Sequence, residues 1–600
     1  MQPFYTKAFM PDNPLKKFVD WLDKSNELLV IDEQVDFNLE ITEIVDRLSK
    51  SAEFNKALFF KNTGTKFPLI INAFGSDNRI AKALYTDSLE SLKKKVSEVI
   101  KLYTNKPESW RQKTKMLSDI AKIRKWIPRK TSKKGECQSE MLDIIDIQLL
   151  PILKCWPYDG GRFITLPCVH TVSPTNNSLN VGMYRMQVFD GTTVGMHWHK
   201  HKTGAKHFNE YKKAGQKMPV SVTLGGDPVY TFVATAPMPE NINEYLLAGF
   251  LRNKPVKLVK CITNDIWIPE DVDFVIEGYI DTLEDFALEG PFGDHTGFYS
   301  LTDLYPKMHI TAITHRKDAI YPATVVGVPP MEDAYMAKAS EMIFAPMIKF
   351  ALAPEVVNIH MPIWGVAHNL VLVSIKNEYE GQAFKVAQTF WGAGQMMFNK
   401  TLVVLNENVN IYDYTQVLEC VLNNLHTTSQ IMFSQGPIDI LDHSTQVKGF
   451  GSKICIDLTN NNTRSINNKN SIDLMFKYIT SEHNVNKIEF NNNKSNNKSQ
   501  IIVILEPELE HLSNELKTWY LLNNIDPQRD IVINTKGALF DIIIDGRQKK
   551  HNRRWPNVIT MNNDIISIID KKWNRLTKLP FLESPSLNIA NLVKSDGAEV

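Results

Sequence analysis

The sequence predicts an α+β multidomain protein in which two mixed α/β units flank a β-rich centre. Three observations lead there. The chain has 600 residues, too many for one hydrophobic core, so about two to four domains are expected. Between about Leu150 and Val326, short apolar runs are punctuated by Gly, Pro and Asp, the texture of a β-barrel or sandwich. On either side of that stretch, helical periodicity alternates with short apolar runs.

Taken in order, residues 13–22 have the spacing of an amphipathic helix, 27–31 of a strand and 39–48 of a second helix. Residues 57–60 and 67–71 read as short buried strands around the turn Asn62-Thr63-Gly64, and 88–103 as another amphipathic helix. Residues 106–136 are basic, interrupted by Pro107 and Pro128, and read as a connection. In the centre, 163–166, 182–188, 220–224, 256–259, 274–280 and 309–313 read as strands. Further on, 370–375, 383–389 and 401–405 alternate as in an α/β unit with some parallel strands. Residues 460–498 are rich in Asn, Lys and Ser, bury little apolar surface, and read as a solvated insertion. After them, 501–505, 512–522 and 531–534 suggest a small strand–helix–strand unit, and 565–576 the last clear helix.

Composition narrows the function classes. The chain is 43% hydrophobic and 22% charged, as ordinary globular proteins are. A net charge of +1, with no basic stripe interleaved with aromatics, gives no reason to expect nucleic acid as a partner. The six cysteines are scattered, with no CxxC pair or zinc spacing, which fits a reducing cytosol. The first residues lack the apolar stretch of a signal peptide, and no apolar run approaches the roughly 20 residues of a membrane span. A cytoplasmic enzyme is expected, with peripheral contact at the inner membrane surface left open.

Several segments could carry chemistry. His197, His199 and His201 alternate in the run Met196-His197-Trp198-His199-Lys200-His201, and His207 follows. On a strand they would share a face. Such a face suits Mn, Fe, Ni, Cu or Zn, and equally an exposed polar surface or an anion pocket. Arg185, in Asn180-Val181-Gly182-Met183-Tyr184-Arg185, could clamp a carboxylate or phosphate through its planar fork, or simply lie on the surface. Glu289 and Asp294 stand five residues apart around a Gly-Pro-Phe-Gly turn. Such a turn can aim two carboxyls at one pocket, one ionised and one protonated; otherwise it is a solvated surface turn. Glu244 opens a helix-like stretch, where the helix dipole favours an acid. There is no P-loop, no GxGxxG after a strand and no nucleophile elbow, and Gly392 and Gly394 lack a third glycine at the spacing of a nucleotide loop.

Taken together these segments resemble the UbiD family of decarboxylases. The likeness runs in order through residues 39–44 (LEITEI), 155–157 (CWP), 180–185 (NVGMYR), 220–228 (VSVTLGGDP), 244–252 (EYLLAGFLR), 289–297 (EGPFGDHTG), 327–333 (GVPPMED) and 449–453 (GFGSK). It spans roughly residues 15–457 and resumes at 545–576, where Arg554-Trp555-Pro556 precedes the final helix. The resemblance implies an N-terminal α/β domain at 1–145, a central split β-barrel flavin-binding domain at 146–325 and a C-terminal α/β domain at 326–459. The Asn/Lys-rich insertion with its small α/β unit would then occupy 460–543, and the final helix and tail 544–600.

The resemblance also implies prenylated FMN as cofactor, with Mn2+ bridging its phosphate to the protein and K+ nearby. By motif position Asn180, His201 and Glu244 would ligate Mn2+. Met183, Tyr184, Arg185, His197, Trp198, His199, Lys202 and Thr203 would contact the cofactor. Arg185, Glu289 and Asp294 would form the catalytic set, Asp294 donating the proton that replaces CO2 while Glu289 tunes Arg185. The expected substrate is a small aromatic acid, 3-polyprenyl-4-hydroxybenzoate or a related naphthoate of ubiquinone or menaquinone biosynthesis. A flavin prenyltransferase would supply the cofactor, and a homo-oligomer, dimer or hexamer, is expected. The histidine-rich run around Trp198 departs from what the resemblance leads one to expect of quinone-pathway members. Two other readings compete: a flavin-independent metal hydrolase or decarboxylase built on His197, His199 and His201, and a non-catalytic flavin-binding assembly protein.

Overall fold

The N-terminal elements form where the apolar spacing places them. Asn13 caps the helix Pro14–Lys24 by accepting from the Lys16 amide, and Leu15, Phe18, Val19 and Leu22 make its buried face. Strands Leu28–Ile31, Ala57–Phe60 and Leu69–Ile71 pair in that order. The sheet is completed by Tyr321–Ala323, which returns from the far end of the β-rich centre. The structure is a computed structural model that describes residues 13–104, 123–460, 473–480, 499–536, 539–549 and 554–600. Most of the basic connection and most of the Asn/Lys-rich stretch therefore lie outside the described residues.

The centre is an open, curled sheet of nine strands rather than a closed barrel. Its path runs Phe163–Ile164, Met186–Val188, Thr193–Met196, Lys307–His315, Phe274–Ile280, Met218–Leu224, Cys168–Val172 and Leu179–Met183, with Glu140–Met141 pairing Lys307–His315. Every neighbouring pair in it is antiparallel. Two expectations need correction here. Residues 182–188 are not one strand: the chain breaks at Tyr184 and Arg185, where the Arg185 side chain turns to buried carboxylates. The histidine run is not a strand either. Pairing ends at Met196, and turns formed by Trp198 N donating to Met196 O and Lys202 N to His199 O carry the chain into the helix Thr203–Lys213.

The long helix Glu332–Ala351 leads into a five-stranded sheet ordered Val356–His360, Leu370–Ile375, Thr401–Asn406, Phe450–Leu458 and Ile431–Pro437. Its three inner strands are parallel, as the alternating pattern predicted, and its two edges antiparallel. The small unit beyond is a four-stranded sheet, Asp473–Tyr478, Gln500–Leu505, Leu539–Asp545 and Ile531–Lys536, with the helix Asn514–Asn524. The final long helix, Asn563–Leu576, returns to the first domain and packs on the helix Glu40–Ser49. There Arg47, fully buried, bonds Glu43 at 2.7 Å and Asp570 at 2.8 Å over the Trp573 ring.

Candidate active site

The break after strand Leu179–Met183 and the turn after Ala287–Glu289 converge on one buried ion cluster. Arg185 Nε donates to Glu289 Oε1 at 2.9 Å and Nη2 to Glu289 Oε2 at 3.1 Å. Nη2 also donates to Ser300 Oγ at 2.8 Å, and Nη1 bonds Asp294. The guanidinium lies over the Phe292 ring at 4.6 Å. The carboxyl of Asp159 accepts the backbone N–H of Trp156 and of Gly293, tying the residue before Asp294 to the CWP segment. One guanidinium balances one carboxylate, so ionising both Glu289 and Asp294 leaves an excess negative charge that a further cation must meet. Burial pushes the Glu289 carboxyl up, but Arg185 and His197 outweigh it and hold it at about 2. Burial likewise opposes ionisation of Asp294, and Arg185 and His295 override it to hold its carboxyl below the usual carboxylate range.

The proton therefore sits on His295, not on Asp294. His295 Nδ1 and its amide both bond Asp294 Oδ1, at 3.0 and 2.8 Å. Burial lowers the His295 pKa, but Asp294, Asp439 and Asp333 together raise it to about 9. His295 Nε2 stands 3.3 Å from His368 Nε2, which belongs to the segment before strand Leu370–Ile375. Sequence reasoning passed over His295 although it adjoins Asp294 in the quoted motif; the adjacency was the available signal. His368 and Ser300 gave no such signal, because only the fold brings them near.

The remaining site residues fall into two groups. His197 Nδ1 bonds Glu289 Oε2 at 3.0 Å, and His197 Nε2 faces His199 Nε2 at 2.9 Å. Burial lowers both imidazole pKa values. Because Glu289 only accepts, a neutral His197 carries its proton on Nδ1, and His199 must donate from Nε2. The other group surrounds Tyr184. Its buried hydroxyl interacts with the Asn180 side chain and the Gly204 backbone, and its ring meets Trp198 edge-on at 6.0 Å. A Cβ on Gly204 would lie 2.9 Å from Trp198 and 3.3 Å from Tyr184, so the start of helix Thr203–Lys213 packs there only as glycine. Glu244 Oε2 accepts from the Val181 amide at 2.9 Å, bringing Glu244 beside Asn180. Met183 donates its amide to Ala234 O at 2.9 Å. His201 lies on the other side of the loop, its ring 5.7 Å from His199 and 4.8 Å from Phe398; its described contacts are not with Asn180 or Glu244. Among the described residues, no group of three or more His, Cys, Asp or Glu side chains is placed to hold a metal on its own.

Comparison with known proteins decides the family. Models of the N-terminal, Rift-related and C-terminal domains of 3-octaprenyl-4-hydroxybenzoate carboxy-lyase match residues 19–99, 129–329 and 334–458. The chain belongs to the UbiD family of carboxy-lyases. An uncharacterized protein of Aquifex aeolicus is 44% identical over 447 residues, 74% of this chain and 91% of that protein. One from Helicobacter pylori strain 26695 is 35% identical over 601 residues, 93% of this chain and 96% of that protein. Among solved structures, the vanillic acid decarboxylase of Sedimentibacter hydroxybenzoicus superposes with a TM-score of 0.66 at 25% identity, covering 75% of this chain and 93% of that one. The UbiD-class enzyme HmfF of Pelotomaculum thermopropionicum superposes at 0.63 with 22% identity, covering 74% and 94%, and shares the fold. No helix among the described residues is long and apolar enough to cross a membrane.

Proposed function

We propose that this UbiD-family chain removes CO2 non-oxidatively from an aromatic or conjugated carboxylic acid, using prenylated FMN. The observation that carries the reading is the buried Arg185 fork held between Glu289 and Asp294. HmfF has been solved with FMN and with prenylated FMN. Other structural neighbours are named as decarboxylases of vanillic acid and of 3,4-dihydroxybenzoic acid. Of the quinone-pathway substrates, 3-polyprenyl-4-hydroxybenzoate stays within this reading through the name of the matching family model, and a naphthoate through the resemblance alone.

The residues present suit the cofactor. Helix Thr203–Lys213 begins with no side-chain acceptor on its first N–H groups and with Lys202 at its cap, a seat for a phosphate. Close by, Glu244 is buried and forms no ion pair among the described residues, and burial pushes its carboxyl up to about 7. A divalent cation relieves such a carboxyl, and oxygen donors from Glu244 and Asn180 suit Mn2+. In this reading His201 is the third ligand, K+ binds nearby, and Met183, Tyr184, His197, Trp198, His199 and Thr203 line the flavin. A flavin prenyltransferase supplies the cofactor, and the protein works as a homo-oligomer.

Bound prenylated FMN would supply the electron sink that loss of CO2 from an sp2 carbon requires. The chain's residues do the rest. Arg185 orients the substrate carboxylate, and Glu289 fixes the Arg185 fork from behind. Asp294 passes a proton from His295 to the carbon that carried the carboxyl, returning to its ionised form. The rival centre built on His197, His199 and His201 finds little support, because Nε2 of His197 and of His199 are turned on each other and Nδ1 of His197 is bonded to Glu289. The test is reconstitution with prenylated FMN and Mn2+, then a screen for CO2 from prenylated 4-hydroxybenzoate, a hydroxynaphthoate, vanillate and 3,4-dihydroxybenzoate. Release from at least one acid is expected; loaded protein inert on all of them rejects the reading.

A further inference from the structure

The small α/β unit after the Asn/Lys-rich stretch reads in sequence as an appendage, yet its helix Asn514–Asn524 reaches the catalytic loop. Trp519 is fully buried, and its indole Nε1 donates to the Thr296 carbonyl at 2.7 Å. The same ring stacks on Phe298, centroids 5.3 Å apart and planes 28° apart. Gly297 lies between, at φ +82°, and a Cβ there would come within 2.5 Å of the Trp519 ring. One helical turn on, Asn523 Oδ1 accepts from the Asn369 side chain at 3.0 Å. The Asn523 amide donates back to the Trp519 carbonyl at 2.8 Å, which fixes its orientation. Asn524 Oδ1 meets His443 Nε2 at 2.8 Å, and the His443 ring packs on Phe298 at 4.4 Å.

These contacts form a pattern. Thr296 follows His295 in the chain and Asn369 follows His368, and the two imidazoles face each other at 3.3 Å. Positions 519 and 523 are i and i+4 on one helix, hence on one face. A single rigid helix thus grips the chain neighbours of both histidines, one in the central sheet's loop and one in the C-terminal domain. We infer that helix Asn514–Asn524 is a positioning element for proton delivery, with Trp519 and Asn523 setting how His295 sits between Asp294 and His368. The inference rests on the proposed role of His295 as the source of the proton that Asp294 delivers. Neither helix residue touches reacting atoms; both act through the loop.

The physical reason is the narrow geometry of a charge-assisted hydrogen bond. His295 Nδ1 to Asp294 Oδ1 is a contact of 3.0 Å, and such bonds weaken steeply with lengthening and misalignment. The loop's start is tied by the Gly293 amide donating to Asp159 at 2.8 Å, and its far side by Gly297 O accepting from the Ile559 amide at 3.0 Å and Asn557 O from the Tyr299 amide at 3.1 Å. Among the described residues, neither set of bonds uses the Thr296 carbonyl, which accepts from Trp519. The charged and titratable groups facing His295 are Asp294 on its own loop, Asp333 at the start of helix Glu332–Ala351, Asp439 after strand Ile431–Pro437, and His368. The balance among them depends on where the ring is held.

The test uses the full chain with two variants, Trp519→Phe, which keeps the stacked ring and removes the donor, and Asn523→Ala. Flavin absorbance and metal content report loading and are expected to match wild type. Amide exchange across residues 294–299 is expected to speed up about tenfold. The imidazole titration of His295, followed by NMR in labelled protein, is expected to fall by about one unit or more, and the alkaline limb of kcat/KM with it, while KM changes little. A merely structural contact would lower the melting temperature and leave the titration in place. Wild-type exchange and wild-type titration in both variants overturn the inference. Should Trp519→Phe fail to fold, Asn523→Ala decides by the same readouts. Exchange and titration need no turnover, so wild-type protein that loads but releases no CO2 rejects the proposed function without deciding this point.

Discussion

Arg185 organises the site because Glu289 and Asp294 both bond its guanidinium, and the cluster is charge-balanced when both carboxylates are ionised and His295 is protonated. Asp294→Asn keeps the shape of the loop and cannot relay a proton. We expect flavin and metal loading unchanged and kcat lower by about 100- to 10,000-fold, measured as CO2 release against cofactor absorbance. Normal turnover in that variant removes Asp294 from the proton path. The cluster around Arg185 also gives a pH signature in stability. His295 is raised from 6.5 to about 9, so the stability it contributes is complete below about pH 6.5 and is lost as pH rises through 9. Glu289 is lowered from 4.5 to about 2, so its contribution is present above about pH 4.5 and is lost as pH falls towards 2. Melting curves from pH 6 to 10 should show an alkaline decline in wild type that His295→Gln largely lacks; equal declines would show that other groups cause it.

At the scale of elements, the start of helix Thr203–Lys213 is placed by the close approach of Gly204 to Tyr184 and Trp198. Gly204→Ala should push that end away, destabilising the protein by about 1–3 kcal/mol and weakening FMN binding. Thermal melting and a flavin titration check this, and unaltered affinity would separate the helix start from the phosphate seat. Period and punctuation were enough to place most elements: Phe274–Ile280 and Leu370–Ile375 form over the residues their patterns mark. What one-dimensional patterns missed has a common cause. The histidine run has strand spacing, yet strand pairing ends at Met196 because the next residues turn back onto Arg185 and Glu289. The Arg185, Glu289 and Asp294 set was legible through the family resemblance, and the structure brings the three together. Trp519 meets Thr296, and His368 meets His295, only through long-range packing, and nothing near either partner in sequence announces the other.

On the scale of the whole molecule, the chain closes on itself. Arg47 in the first domain is satisfied by Glu43 on its own helix, by Asp570 and by the Leu582 carbonyl at 2.9 Å. Arg47→Met should lose about 3–5 kcal/mol, since it strands a buried carboxylate, and should expose residues 563–600 to protease. A melting temperature and cleavage pattern like those of wild type would show that the terminal helix is held by apolar packing alone. The arrangement also has a consequence in time. A ribosome delivers the helix Glu40–Ser49 more than five hundred residues before its lid, Asn563–Leu576. Throughout that interval the nascent first domain holds the Arg47 guanidinium with Glu43 alone and leaves the face that will meet the last helix open. A frameshift ahead of residue 563 would then injure the beginning of the protein as surely as its end.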